Sequence, residues 1–256
     1  MTTTHVPERF PEIDVARGIA VVMMVFFHIA FDLYFLNIMP VAANSLPWRV
    51  FAMSTAGLFL FLVGVSLSIS AGYARKKLSR NEFIKKYLKR GAGIYAIGLA
   101  ITLVTWIILP GYFIIFGILH LIGLAIVLSP LYTGFSWQNL VAGSVIILLG
   151  PVVAAMRGTG WLLWLGIHPP AFYSIDYTPV FPWLGVVLIG VYFGTLAYPG
   201  GIRRWNIVIP EIFGKTFGFL GRHSLALYLI HQPVILSILF VLSPGVFLSL
   251  VPTGFL

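Results

Sequence analysis

The chain has 256 residues, of which 59% are hydrophobic and only 9% are charged. Ordinary soluble domains contain about 25% charged residues, so these proportions exclude a water-soluble globule. The sequence contains no cysteine, which excludes disulfides, thiolate nucleophiles and cysteine-based metal sites. We attribute the formal net charge of +9 to membrane orientation and not to nucleic-acid binding.

Long apolar segments recur along the whole chain, each close to the ~20 residues that a helix needs to cross a bilayer. They lie at about 13–36, 48–71, 91–109, 113–132, 138–156, 181–199 and 223–243. We therefore predict an all-α, polytopic membrane helix bundle with about seven or eight transmembrane helices, forming a single integral-membrane domain over residues 1–256. Four basic residues lie among apolar residues over 202–222, which predicts a helix lying at the membrane interface.

Four ionisable residues lie on one face of the first predicted helix: Asp14, Arg17, His28 and Asp32. At 3.6 residues per turn, their side chains project within an arc of roughly 60°. An ionisable group at the centre of a membrane helix costs about 2.5–3.5 kcal/mol, so such groups normally face a protein interior or a hydrated cavity. These four residues therefore predict a catalytic site, in which His28 is a general base oriented by the Asp32 carboxylate at i+4.

A structural interpretation competes with this one. Asp14 and Arg17 can form an ion pair at the helix end, and His28 can be a buried, hydrogen-bonded histidine. We expect no metal site, because the first helix contains no second histidine.

Further polar residues lie inside or beside the later helices. His120 and His231 fall within predicted helices and are functional candidates for that reason. Asp176 lies in a long connection, where it can bind an extracytoplasmic sugar or cap the helix that follows. A proton-coupled transporter or flippase, with His120 and His231 joining His28 and Asp32 in a relay, is the rival hypothesis.

Basic residues are concentrated in two of the predicted connections. Between the second and third helices lie Arg75, Lys76, Lys77, Arg80, Lys85, Lys86, Lys89 and Arg90. Residues 200–222 contain Arg203, Arg204, Lys215 and Arg222, whereas residues 37–47 and 110–112 on the opposite side contain no charge. Because cytoplasmic connections are enriched in Lys and Arg, this pattern predicts a cytoplasmic N-terminus. The basic residues either orient the protein in the membrane and contact anionic lipid, or bind a polyanionic cytosolic cofactor.

Several short blocks of sequence resemble those of transmembrane acyltransferases. The first is Asp14–Ala20, with ten residues between Arg17 and His28. The others are Leu58–Gly64, Phe116–His120, Asp176–Trp183 and Gly221–Leu225 continued through His231 to Pro233. Together they most resemble the heparan-α-glucosaminide N-acetyltransferase catalytic-domain family, in its short prokaryotic branch. The lysosomal enzyme of that family differs in having asparagine where His28 stands and a functional histidine in the following loop, whereas residues 37–47 here contain none.

The resemblance implies an acyltransferase-like domain in the plasma (inner) membrane of a prokaryote. Acetyl groups would pass from cytosolic acetyl-CoA to a sugar amine or hydroxyl, glucosamine-like, on the extracytoplasmic side. The resemblance also suggests a homodimer. Direct transfer and an acetyl-histidine intermediate both remain open.

The resemblance and the residue patterns together give each candidate a role. His28 is the general base or acyl relay, Asp32 holds its tautomer, and Arg17, beside Asp14, contacts the pantetheine or thioester region. The candidates for binding the cofactor are Arg75, Lys76, Arg90, Arg203, Arg204, Arg222 and His231. The candidates for binding the acceptor are His120, Asp176 and Trp183.

Overall fold

The computed structural model describes residues 10–42, 45–109, 111–205 and 207–246. They form eight α-helices and no β-strand, which confirms the all-α prediction. The helices are α1 (Pro11–Phe35), α2 (Leu46–Arg75), α3 (Arg80–Ile108), α4 (Ile118–Tyr132), α5 (Trp137–Ala155), α6 (Val180–Ala197), α7 (Glu211–Arg222) and α8 (Ser224–Leu242). Short 3₁₀ turns occur at Gly160–Leu162 and Pro199–Gly201.

Six of these helices are long and apolar enough to cross a membrane, counted over the described residues: α1, α2, α3, α5, α6 and α8. The apolar helix α4 has 15 residues, or about 22 Å, against a hydrocarbon core of about 30 Å. Its predicted start at residue 113 was too early, because the residues before it are held in a non-helical connection. Ile114 donates its N–H to the Thr105 hydroxyl, and Thr178 donates its N–H to the Phe116 carbonyl.

The basic connection between α2 and α3 is much shorter than predicted. α3 begins at Arg80 because Ser79 and Glu82 form a capping box, in which the Glu82 carboxylate accepts from the Ser79 N–H at 2.9 Å. Most of the basic residues assigned to a loop therefore lie on the first three turns of α3.

The described chain divides into two compact units. The first comprises the described residues up to Phe59 together with those from Ile207 onward, and the second comprises those from Leu60 to Trp205. The prediction of one domain over residues 1–256 stays a prediction.

Close helix packing in the first unit depends on two glycines. A Cβ at Gly18 in α1 would collide with the Phe217 backbone in α7, and a Cβ at Gly221 in α7 would collide with the Asp14 backbone. Glycine at both positions therefore allows α7 to lie directly on the first half of α1. The second half of α1 meets α8, where Leu36 packs with Ile235 and Leu239.

The second unit is built mainly from the pairs α3–α4 and α5–α6, with α4 also touching α6. Glycines again allow close approach: a Cβ at Gly64 in α2 would collide with the Val187 backbone in α6, and one at Gly123 in α4 would lie 2.7 Å from the Tyr95 nitrogen in α3.

Candidate active site

Two histidines from opposite ends of the sequence meet in the first unit. The rings of His28 in α1 and His231 in α8 lie edge to face, with centroids 4.7 Å apart and an interplanar angle of 76°. His28 was predicted as the catalytic base, whereas His231 was assigned to the cofactor. The fold brings both to one place, since the second half of α1 packs on α8.

Each histidine is oriented by a carbonyl of its own helix. The His28 Nδ1 lies 2.8 Å from the Met24 carbonyl oxygen, and the His231 Nδ1 lies 2.7 Å from that of Tyr228. A carbonyl oxygen only accepts, so each Nδ1 carries the proton and donates it. In the neutral rings, Nε2 is then an unprotonated nitrogen with a lone pair. Both side chains therefore present a base.

Asp32 has a different partner from the one predicted. Gln232 donates its amide Nε2–H to both carboxylate oxygens of Asp32, at 2.9 and 2.8 Å. No hydrogen bond joins Asp32 to His28 among the described residues, so the prediction that Asp32 fixes the tautomer of His28 is corrected. The Met24 carbonyl does this instead. The physical reason is that Asp32 is only 4% exposed and faces α8, where an amide is available to donate.

Gln232 is a candidate site residue that the sequence patterns did not single out. The available signal was its position beside His231 in an otherwise apolar stretch of α8. Its Oε1 and the His231 Nε2 are buried and have no hydrogen-bond partner within the described part of the chain. A buried polar atom without a partner costs about 1–3 kcal/mol, so such atoms are rare outside functional sites.

Asp14 and Arg17 lie apart from the histidines. Arg17 Nη1 and Asp14 Oδ1 form an ion pair at 3.2 Å near the start of α1, as the structural interpretation predicted. Along the helix axis Arg17 is roughly 16 Å from His28. The pair lies where α7 packs on α1, since the Asp14 backbone faces Gly221. A catalytic role for these two residues stays a prediction.

His120 in the second unit has the opposite tautomer to His28 and His231. Its Nδ1 accepts from the Gly117 N–H at 3.2 Å, which places the proton on Nε2, 3.4 Å from the Thr102 hydroxyl. The side chain is 1% exposed, and its ring lies edge to face with Tyr95. Both ring nitrogens are thus engaged: Nδ1 caps the start of α4 itself, and Nε2 joins α4 to Thr102 in α3, which is a structural arrangement.

Asp176 caps a helix, but the helix is α4 and not the one that follows it in sequence. Its Oδ2 accepts from the Ile118 N–H at 3.0 Å, and its Oδ1 accepts from the Thr178 hydroxyl at 2.9 Å. A carboxylate at a helix N-terminus is stabilised by the helix dipole. The adjacent Tyr177 donates its O–H to the Leu163 carbonyl, and burial raises its pKa to about 12. Trp183, in the first turn of α6, is half-buried.

Cationic residues gather at one end of the second unit. The Arg75 guanidinium donates to the Thr133 carbonyl at 2.7 Å and to its hydroxyl at 3.1 Å. A Cβ at Gly200 would lie 2.9 Å from the Lys76 Nζ, which places the end of α2 beside the turn that leads to Arg203 and Arg204. The other predicted cofactor residues are exposed: Arg90 lies in α3 of this unit, and Arg222 ends α7 of the first unit.

Within the described residues, no three His, Asp or Glu side chains come together as a metal site would require.

Comparison with known families agrees with the motifs. The family model described as heparan-alpha-glucosaminide N-acetyltransferase, catalytic, matches residues 9–233, a range that includes His28, His231 and Gln232. No curated protein and no solved structure gives a significant match. The family match covers most of the chain and confirms the resemblance found in the sequence. This membrane-helix protein therefore belongs to the heparan-alpha-glucosaminide N-acetyltransferase catalytic family, a family of membrane acetyltransferases.

Proposed function

We propose that the protein transfers an acetyl group from cytosolic acetyl-CoA to a sugar amine or hydroxyl, glucosamine-like, on the extracytoplasmic side. The observation that carries this proposal is the contact between His28 and His231, each with Nδ1 bound to a backbone carbonyl and Nε2 left as a base. Acyl transfer to an amine or hydroxyl requires such a base, and the family match supplies the reaction class.

His28 is the proposed general base. In direct transfer, the acceptor nitrogen or oxygen attacks the thioester carbonyl carbon while His28 Nε2 removes its proton. The carbon–sulfur bond then breaks, and CoA leaves as a thiolate that takes up a proton. The same lone pair can instead attack the thioester itself, giving an acetyl-histidine that the acceptor resolves.

Asp32 is proposed to act through charge. It lies one helical turn from His28, about 6 Å along the axis, and can compensate the positive charge that the imidazole acquires. Gln232 ties this carboxylate to α8. Arg17 remains the candidate for contact with the pantetheine or thioester region, with Asp14 as its ion-pair partner.

Four cations of the second unit are proposed to bind the phosphates of CoA. Arg75, Lys76, Arg203 and Arg204 gather at one end of that unit, and phosphate is recognised by guanidinium forks and ammonium charges. In this proposal that end of the unit faces the cytosol, as the positive-inside rule also predicts. A homodimer, a plasma-membrane location and acceptor contacts through His120, Asp176 and Trp183 stay predictions from the resemblance.

The test uses purified protein in proteoliposomes with acetyl-CoA radiolabelled in the acetyl group. Label should pass to glucosamine, with release of one CoA for each acetyl group transferred, while labelled acetate as donor should give none. The rival transporter has no use for CoA, so CoA should raise the thermal unfolding midpoint only if the acetyltransferase proposal holds. Absence of both transfer and stabilisation by CoA would refute it.

A further inference from the structure

A cavity of about 440 Å³ lies in the second unit, where the end of α2, the start of α3 and the end of α4 come together. Its volume is within the roughly 300–1,000 Å³ of small-molecule sites. The residues that line it are apolar except for two arginines: Arg75, Leu78, Arg80, Phe83, Ile84, Pro130 and Leu131. The cavity therefore combines an apolar wall with positive charge, which suits an amphiphile that carries an anionic group.

The one aromatic residue of the cavity is already covered. The Arg75 guanidinium donates to the Thr133 carbonyl and hydroxyl, and its Cζ lies 4.9 Å from the centroid of the Phe83 ring. Phe83 itself is only 6% exposed. The cavity thus offers no open aromatic face on which a nucleotide base, such as the adenine of CoA, could stack. Its other walls are aliphatic, and they match an acyl chain better than a base.

Arg80 is the cation of this cavity that the proposed CoA site does not use. It is exposed and is the first residue of α3, where the helix dipole disfavours a positive charge. The acid of the same turn, Glu82, accepts from the N–H and the hydroxyl of Ser79. A phosphate group beside Arg80 would offset the unfavourable charge at the start of the helix.

The position of the cavity relative to the membrane also fits a lipid. α2 and α3 are long and apolar enough to span, and the cavity lies at their basic end, which the positive-inside rule places at the cytoplasmic surface. α4 ends beside the cavity and is about 22 Å long, less than the hydrocarbon core of about 30 Å. Leu131, close to the end of α4, is 72% exposed. The apolar wall is therefore accessible to acyl chains of the surrounding bilayer.

We propose that this cavity binds an anionic phospholipid of the cytoplasmic leaflet, with the lipid phosphate on Arg80 and an acyl chain along the aliphatic walls. The cytoplasmic leaflet carries anionic lipids, and basic pockets between membrane helices on this side bind their headgroups. The inference does not depend on the proposed acetyltransferase function. It assigns Arg80 to the lipid and leaves Arg75 with the cations proposed for CoA.

The test titrates the protein, purified in dodecyl maltoside, with dioleoylphosphatidylglycerol or dioleoylphosphatidylcholine and counts bound lipid by native mass spectrometry. Wild-type protein should bind one phosphatidylglycerol at least about tenfold more tightly than phosphatidylcholine, whose choline cation offsets the phosphate charge. Arg80→Gln should lose this preference. The matched control is Lys89→Gln, which removes one charge from an exposed position of the same helix outside the cavity and should keep the preference.

A second variant fills the cavity and keeps both arginines. Ile84→Trp places a larger side chain against the aliphatic wall and should weaken phosphatidylglycerol binding by a similar factor. It decides the question by the same titration if Arg80→Gln fails to fold.

Three results would overturn the lipid site: equal binding of the two lipids by wild-type protein, a folded Arg80→Gln protein that keeps the preference, or displacement of bound phosphatidylglycerol by CoA. The last result would assign the cavity to the cofactor. Lipid binding is measured without any acetyl transfer, so failure of the proposed function would leave this result unchanged.

Discussion

Replacing His28 with asparagine removes the proposed base but keeps a side-chain N–H donor. The asparagine amide nitrogen occupies nearly the position of His28 Nδ1, so it can still donate to the Met24 carbonyl, now 2.8 Å from Nδ1. Only Nε2 and the part of the ring in contact with His231 are lost. Removal of a general base lowers kcat by about 10²–10⁴, which corresponds to roughly 3–5 kcal/mol of transition-state stabilisation. We therefore expect at least a hundredfold loss of acetyl transfer with little change in the thermal unfolding midpoint.

The assay is release of CoA and incorporation of labelled acetyl into glucosamine, both measured at saturating acetyl-CoA. The matched control is His223→Asn. His223 also points Nδ1 at a carbonyl of its own helix, that of Phe219 at 2.9 Å, but it is exposed at the end of α7. This variant should keep full activity. A folded His28→Asn protein with activity within about threefold of wild type would contradict the role of His28 as base.

Three further predictions test the other parts of the protein. Replacing Arg75 and Lys76 together with glutamine should raise the KM for acetyl-CoA about tenfold and weaken the dependence of that KM on salt, with kcat little changed. An unchanged KM would mean that these two residues serve only to orient the protein in the membrane. Gly221→Ala should lower the unfolding free energy, measured by chemical denaturation, by about 1–2 kcal/mol, because the new Cβ meets the backbone of α1. The control is Gly214→Ala, whose Cβ would have its nearest neighbour at 3.9 Å. This variant should be neutral or stabilising by up to about 1 kcal/mol. Asp176→Asn should lower the unfolding free energy by about 0.3–1 kcal/mol through loss of charge at the α4 N-terminus, as measured by chemical denaturation. A raised KM for glucosamine without that loss of stability would instead support the predicted sugar binding at Asp176.

The fold class and most helices could be predicted because they depend on local properties of the sequence. Segment length and hydropathy are sufficient to locate a membrane helix, so α1, α2, α5, α6 and α8 lie close to their predicted positions. The boundaries of α3 and α4 were less well predicted, because capping decides where a helix begins. Ser79 and Glu82 start α3 early, while Asp176, far away in sequence, accepts from the first turn of α4.

The polar residues of α1 illustrate how far periodicity can define a site. Helical spacing placed Asp14, Arg17, His28 and Asp32 on one face, but it could not say what that face meets. In the structure the face has two neighbours: α7 lies along its first half, where Asp14 and Arg17 form an ion pair, and α8 lies along its second half. Two of the four residues therefore lie where α1 meets α7, and the other two lie in the candidate site beside α8.

The sequence by itself determined that this is a helical membrane protein, that His28 and Asp32 are polar residues on one face of one helix, and that its motifs are those of an acetyltransferase family. Composition, periodicity and short motifs carry that information locally. The tertiary structure alone decided that His231 is the partner of His28, that Gln232 is the partner of Asp32, and that His120 is bound at both ring nitrogens. The contacts of His231 with His28 and of Gln232 with Asp32 join opposite ends of the chain. All of these contacts depend on how closely the helices approach, which local sequence does not specify.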